Sequence, residues 1–284
     1  MSIVVTGATG HLGRLIVEGL LRDGVTPDEI VAAGRSTDKI ADLADRGVRV
    51  VRMDYTDPES MAVAFAGAQT LMLVSSSEVG QRAAQHGAAI DAAKLAGVGR
   101  IVYTSAPKAD HTALILAPEH KITEELIRAS GIPFTILRNG WYSENYAGTA
   151  AQAKEAGVLA ASVGDGLVAS ASRVDYADAA VAVLTGEGHE NAVYELSGDT
   201  AWSHTELAAV LTDILGRDVA YTSLTEAEHL AALEAAGLDA GTAGFVVALD
   251  GNIRDGLLAE TSGELRALIG RPTTPLRDGL AAAL

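Results

Sequence analysis

Apolar residues recur along this chain in two alternating rhythms. Short runs of β-branched and aliphatic side chains occupy residues 2–6, 30–33, 48–51, 70–74, 100–103 and 132–137. Each is short, apolar nearly throughout and bounded by polar or glycine-containing stretches, so each predicts a buried strand. Between them the spacing becomes helical. Leu12, Leu15, Ile16, Gly19 and Leu20 mark a first amphipathic helix. Residues 37–46, the alanine-rich stretch 79–96 and residues 118–130 predict three more. Another helix starts at Asp57-Pro58-Glu59, where a capping side chain, an N1 proline and an acidic first turn coincide.

Strands without a polar face, separated by helices, require a parallel sheet covered on both sides. Right-handed crossovers then give an α/β, doubly wound, Rossmann-type sheet. Beyond about residue 140 the rhythm weakens. Helices are expected at 175–186, 203–216 and 225–237, with short strands near 192–196 and 219–222. The expectation is one domain over residues 1–140 and a smaller, mostly helical C-terminal lobe over 141–284, with strands of the second part free to return to the main sheet. Glycines crowd residues 237–256, which predicts a mobile loop.

Composition narrows the function classes. The 284 residues include no cysteine, which removes disulfides, thiolate metal sites and a cysteine nucleophile. The 37 acidic and 21 basic residues give a net charge of -16, a surface that repels phosphate backbones, so nucleic acid is not an expected partner. No basic region precedes the first apolar run, and no apolar stretch approaches the ~18–20 residues of a membrane span. A cytoplasmic location is expected. His86, His111, His189, His204 and His229 show no metal-ligand spacing, and no metal site is expected.

The candidate chemistry begins at Thr6-Gly7-Ala8-Thr9-Gly10-His11-Leu12-Gly13, between the first strand and the first helix. Glycines let this turn close and let backbone N–H groups approach a pyrophosphate, while the helix N-terminus adds partial positive charge. Strand two ends Ala33-Gly34-Arg35 with no carboxylate for a ribose 2′-hydroxyl. Arg35 offers a guanidinium fork suited to a 2′-phosphate, and Lys39 lies one turn on. NADPH rather than NADH is therefore the expected cofactor. Asp54, after strand three, would sit near the adenine.

The glycine loop, Arg35 and the order of elements resemble the NmrA-like group of atypical short-chain dehydrogenases, over nearly the whole chain. Two longer runs, Ser75-Ser76-Ser77-Glu78-Val79-Gly80-Gln81-Arg82 and Arg138-Asn139-Gly140-Trp141-Tyr142-Ser143-Glu144-Asn145-Tyr146, are similar to its bacterial quinone-reductase branch. The resemblance implies that Ser75, Ser76 and Ser77 line the ribose and nicotinamide path. It implies that Asn139, Gly140, Trp141, Tyr142 and Ser143 wall the nicotinamide and substrate pocket, and that Arg173 makes a further contact. A homodimer is the common assembly for such folds.

Ordinary short-chain dehydrogenases use a Tyr-x-x-x-Lys pair to protonate the nascent alkoxide. Here Tyr103 is followed by Lys108, five positions on, and the helix expected to carry the pair has none: Ala117-Pro118-Glu119-His120-Lys121 holds no tyrosine. A quinone needs no such acid, because its hydride adduct delocalises charge into an aromatic ring. Positioning alone then suffices, with no flavin. Trp141 and Tyr142 either give a flat wall for a quinone or pack in the core. His120 is either a helix-surface histidine or a donor to substrate oxygen, and Lys121 sits beside the expected lysine position. Two alternatives stand beside quinone reduction: a reductase of another delocalised electrophile such as a triphenylmethane dye, and an NADP-binding redox sensor without turnover.

Overall fold

The computed structural model describes residues 2–284. The first half alternates as the hydrophobic rhythm requires: β1 (Ile3–Val5), α1 (His11–Arg22), β2 (Ile30–Gly34), α2 (Ala41–Asp45), β3 (Arg49–Arg52), α3 (Pro58–Phe65), β4 (Thr70–Leu73), α4 (Arg82–Leu95), β5 (Arg100–Ser105), α5 (Ala117–Ser130) and β6 (Phe134–Asn139). The second half adds α6 (Ala147–Ala156), β7 (Val158–Ala161), β8 (Leu167–Val168), α7 (Arg173–Thr185), β9 (Ala192–Leu196), β10 (Trp202–Ser203), α8 (His204–Leu215), β11 (Ala220–Ser223), α9 (Glu226–Ala235), α10 (Ala240–Arg254), α11 (Glu264–Ile269) and α12 (Leu276–Ala281).

Seven strands form one parallel sheet in the order β3-β2-β1-β4-β5-β6-β9. Period-two alternation divides each strand between two cores. On one face Ile3, Val5, Ala32, Met72, Val102 and Leu137 meet α1 and α7. On the other Val4, Ala33, Leu71, Tyr103 and Ile136 meet α3, α4 and α5. Strand order reverses between β1 and β4, where Thr6 ties the two together: its Oγ1 accepts from the Val74 amide at 3.0 Å and donates to the Met72 carbonyl at 3.2 Å. That switch point opens a crevice at the carboxyl ends of the strands, the usual ligand position in open α/β sheets.

The C-terminal part is divided in use. α7 packs along α1, and β9 pairs in parallel with β6, so both return to the main sheet. The remaining elements enclose a third core around Tyr146, Leu159, Val168, Trp202, Leu207 and Ile253. β11 pairs with β7 and β10 with β8 in two small sheets.

Three expectations are corrected. The glycine-rich segment 237–256 is not a loop. Asp239 caps it by accepting from the Thr242 amide at 3.0 Å, and α10 runs on to Arg254. Ala243, Asp250 and Ile253 bury one side of this helix, so tertiary packing outweighs the low helix propensity of Gly241, Gly244 and Gly251. The stretch 37–46 is a 3-10 turn, Thr37–Ile40, followed by the five-residue α2. The helix expected from residue 79 begins at Arg82, because Glu119 of α5 accepts from the Gly80 and Arg82 amides, both at 3.1 Å, and holds the preceding residues as a loop. Among the described residues, no helix is long and apolar enough to cross a membrane.

Candidate active site

A cavity of about 710 Å³ occupies the switch-point crevice, a volume in the range of small-molecule sites. Its floor is the β1–α1 turn. Gly7 holds φ +61°, a left-handed conformation that favours glycine, and its carbonyl accepts from the Gly10 amide at 2.9 Å. A Cβ on Gly13 would lie 2.3 Å from the Gly7 carbonyl oxygen, so only glycine lets α1 approach β1 this closely. Gly10 stands at the helix N-cap without any side-chain cap. α1 shares this with α2, α4, α5, α6, α11 and α12, while α3, α7, α8, α9 and α10 are capped by Asp57, Ser172, Ser203, Thr225 and Asp239. The first amides of α1 thus face the cavity unclaimed by any capping side chain, which fits a pyrophosphate.

The structure brings nearly every residue singled out from the sequence to this cavity. Gly7, Thr9, Gly10, His11, Leu12 and Gly13 form one end. Arg35, Lys39 and Asp54 flank it. Ser75, Ser76 and Ser77 line the middle, with Asn139, Gly140, Trp141, Tyr142, Arg173 and His120 beyond them. Of the residues expected to touch the cofactor, two do not reach it. Ala8 is fully buried beneath the turn, donating its amide to Ala33 O at 3.0 Å. Ser143 turns inward with the 3-10 helix Ser143–Tyr146, and its Oγ bonds Ser170 Oγ at 2.9 Å.

Several of these residues are already engaged. Arg35 is 61% exposed and its Nη1 donates to Glu78 Oε1 at 2.6 Å, bridging the β2 end to the loop after β4. The Asp54 carboxylate accepts from the Thr56 amide and hydroxyl at 2.9 and 2.8 Å, which holds it below the usual carboxylate range. The Ser75 amide donates to Thr104 Oγ1 at 2.9 Å and the Ser76 amide to His86 Nε2 at 3.1 Å. Arg173 lies over the Tyr142 ring at 5.1 Å and donates to Asn145 Oδ1 at 3.0 Å. Ser76 Oγ, Asn139 Oδ1 and Trp141 Nε1 are buried without a hydrogen-bond partner, an arrangement that awaits polar groups of a ligand.

Trp141 proves to be both wall and core: it lines the cavity while packing against the C-terminal core. His120 is not on the helix surface. It is 6% exposed and its Nδ1 lies 2.7 Å from the Tyr103 hydroxyl. Lys121 is exposed and off the cavity, and Lys108 pairs with Glu260. Among the described residues, no Tyr–Lys acid pair is assembled.

Sequence reasoning missed Phe245, Leu258 and the Ser105–Pro107 turn as cavity residues. Phe245 lies in the segment read as a loop. The Ser105–Pro107 turn had a usable signal, since it follows a strand of the sheet at its carboxyl end.

A model of the NAD(P)H-binding family matches residues 7–187. The chain belongs to that family. Quinone oxidoreductase 2 of Escherichia coli is 47% identical over 98% of this chain and 97% of its own length. Among solved structures, the NADPH complex of the NADPH-dependent quinone oxidoreductase from Escherichia coli matches with TM-score 0.94 and 47% identity, over 99% of both chains. Triphenylmethane reductase from Citrobacter sp., complexed with NADP(H), matches with TM-score 0.93 and 37% identity over all of both chains. The kinship read from the two motif runs is therefore shown.

Burial around the site carries a pH dependence. Burial, reinforced by Arg82, pushes His86 down to about 3, and burial with Arg82 and His86 does the same to His120. Burial lowers His204 to about 4 against the opposing charge of Asp250. The unfolded chain binds protons at these sites near pH 6.5 while the folded chain refuses them, so stability is present above pH 6.5 and is lost as pH falls toward 3. Each histidine should withdraw about 2 kcal/mol by pH 5. Urea midpoints measured from pH 7 to pH 4.5 should fall steadily; a flat profile would mean these histidines are not buried as described.

Proposed function

We propose that this chain is an NADPH-dependent quinone reductase that makes two-electron hydroquinone without flavin. The observation that carries the reading is the composition of the switch-point cavity: an uncapped helix N-terminus and basic side chains at one end, an aromatic wall at the other, and among the described residues no Tyr–Lys acid pair between them. The quinone oxidoreductases named above supply the acceptor class.

NADPH, when bound, supplies a hydride from its nicotinamide. The turn from Gly7 to Gly13 gives backbone donors to its pyrophosphate, and the α1 N-terminus adds favourable field. Arg35, helped by Lys39, takes the 2′-phosphate, and Asp54 stands on the adenine side. Ser75, Ser76 and Ser77 follow the ribose path. Asn139, Gly140, Tyr142 and Arg173 border the nicotinamide, and Trp141 faces the quinone ring. Residues 1–140 form the cofactor domain; 141–284 cover the substrate, apart from α7 and β9, which complete the sheet. A location in the cytoplasm is part of this proposal, and a chain without cysteine is compatible with it.

A triphenylmethane dye is a second acceptor class, favoured by the 37% identity to the Citrobacter enzyme. It too is a delocalised electrophile and needs no acid.

Arg35→Ala tests the cofactor assignment. It should weaken NADPH about ten- to hundredfold, the loss of one charge-assisted contact, and leave NADH nearly unchanged. Glu78→Gln frees Arg35 from its carboxylate partner and should move NADPH affinity modestly the other way. Dissociation constants for both nucleotides decide it; equal weakening of NADPH and NADH by Arg35→Ala removes Arg35 from the 2′-phosphate.

A further inference from the structure

We propose that His120 is a fixed hydrogen-bond donor to the oxygen of the bound quinone, and that Tyr103 is the positioning residue that decides which ring nitrogen of His120 carries the proton. The proposal rests on the quinone-reductase reading and deepens it.

Tyr103 lies in β5 with its ring fully buried against α4 and α5. Its hydroxyl meets His120 Nδ1 at 2.7 Å, across from the first turns of α5. A phenol is a stronger donor than a neutral imidazole N–H, and an imidazole nitrogen is the stronger acceptor. The phenol therefore donates and Nδ1 accepts. Burial holds the ring neutral, and a neutral imidazole carries one proton, which must then sit on Nε2. His120 lines the cavity, and its Nε2 has no hydrogen-bond partner among the described residues. The Nε2–H group is thus presented to whatever fills the cavity.

The surroundings hold this tautomer in place. His86, whose ring packs edge-on to Tyr103 at 5.4 Å, accepts from the Ser76 amide at Nε2 and so donates from Nδ1 to Thr123 Oγ1 at 3.0 Å. Thr123 passes its own proton to the Glu119 carbonyl at 2.9 Å. The Tyr103 hydroxyl also lies near Thr123, whose Oγ1 already takes the His86 proton and gives its own to Glu119; with the phenol proton on the 2.7 Å bond to His120 Nδ1, the donor left over is the Nε2–H of this cavity-lining histidine.

The chemistry matches the demand. Hydride transfer from NADPH oxidises the nicotinamide and delivers two electrons and one hydrogen to the quinone, leaving one negative charge that develops on the far oxygen. The second proton comes from water. A neutral imidazole is too weak an acid to give up its proton, but it stabilises a developing oxyanion by donating to it, and its preset geometry costs no reorganisation. This device replaces the absent Tyr–Lys pair without reproducing it.

The first test needs no turnover. In the wild-type protein with ¹⁵N-labelled histidine, long-range ¹H–¹⁵N spectra should show His120 as the Nε2–H tautomer, and Tyr103→Phe should shift it toward Nδ1–H. An Nδ1–H tautomer in the wild type overturns the proposal. The second test is kinetic. Tyr103→Phe should lower kcat for quinone about tenfold or more while the NADPH dissociation constant stays put. His120→Gln keeps an N–H donor near the Nε2 position and should retain more turnover than His120→Ala. Adding Tyr103→Phe to His120→Gln should then cost nothing further. Additive losses show that Tyr103 acts by some other route and overturn the proposal. Absence of quinone turnover in the wild type would instead defeat the reductase reading itself.

Discussion

Gly13→Ala should nearly abolish NADPH binding, although it adds a single methyl group. The new Cβ would lie 2.3 Å from the Gly7 oxygen, 2.6 Å from the Gly7 carbonyl carbon and 2.9 Å from the Ala8 Cα. All three are backbone atoms, so no side chain can swing aside. The turn must open, which should cost about 1–3 kcal/mol of stability. Opening also carries the loop amides away from the pyrophosphate. Losing one hydrogen bond to a charged group costs about 1.5–3 kcal/mol, or roughly ten- to a hundredfold in affinity. The same methyl at other glycines around the turn should do less. At Gly34 it meets the side chain of Thr9 at 2.7 Å, which can rotate, and at Gly10 it meets only the Gly7 oxygen at 3.3 Å. Calorimetric affinities should therefore fall in the order Gly10→Ala, Gly34→Ala, Gly13→Ala. Wild-type binding by Gly13→Ala would show that the turn does not hold the pyrophosphate.

Glu124→Ala should be the most destabilising change near the cavity. Arg138, at the end of β6, is 5% exposed and depends on Glu124 for two bonds, Nε to Oε1 at 2.9 Å and Nη2 to Oε2 at 2.7 Å. Ser105 Oγ donates to the same carboxylate at 2.6 Å. Glu195 and Asp110 complete the ring around Arg138 at 2.8 and 3.0 Å, and these carboxylates hold its guanidinium firmly charged. Removing Glu124 strands a buried cation with part of its neutralising charge, a loss of about 3–5 kcal/mol. Replacing both partners with apolar residues, Glu124→Leu with Arg138→Met, should recover much of that loss. Urea unfolding of the single and double variants reads this directly. A double variant no more stable than Glu124→Ala would mean the network itself, and not the stranded charge, sets the cost. Because Asn139 follows Arg138, the single variant should also disturb the cavity wall.

The main sheet was legible because its strands are buried on both sides, which forces continuous apolar runs such as Ile30–Ala33. The glycine turn was legible because Gly7 is favoured by its positive φ and Gly13 is required by the close approach of backbone. The seventh strand was visible only as a short segment: Ala192–Leu196 is half-buried and polar at Glu195, so its place beside β6 comes from pairing and not from pattern. α10 was hidden by its glycines, and with it Phe245. Ser143 was misjudged because a continuous motif was read as a continuous wall, whereas the chain enters a 3-10 turn there and points this serine inward. The Tyr103–His120 contact joins residues from β5 and α5 that meet only once the helix packs on the sheet, so no spacing rule announces it.

The central claim is that one cavity binds NADPH and passes its hydride to a quinone. The most direct measurement follows loss of the reduced-nicotinamide absorbance with a simple benzoquinone or naphthoquinone, beside an enzyme-free blank and with NADH in parallel. The account predicts quinone-dependent oxidation well above the blank, faster with NADPH than with NADH. Tight NADPH binding with no quinone-dependent oxidation would contradict it and mark the protein as a nucleotide-binding sensor.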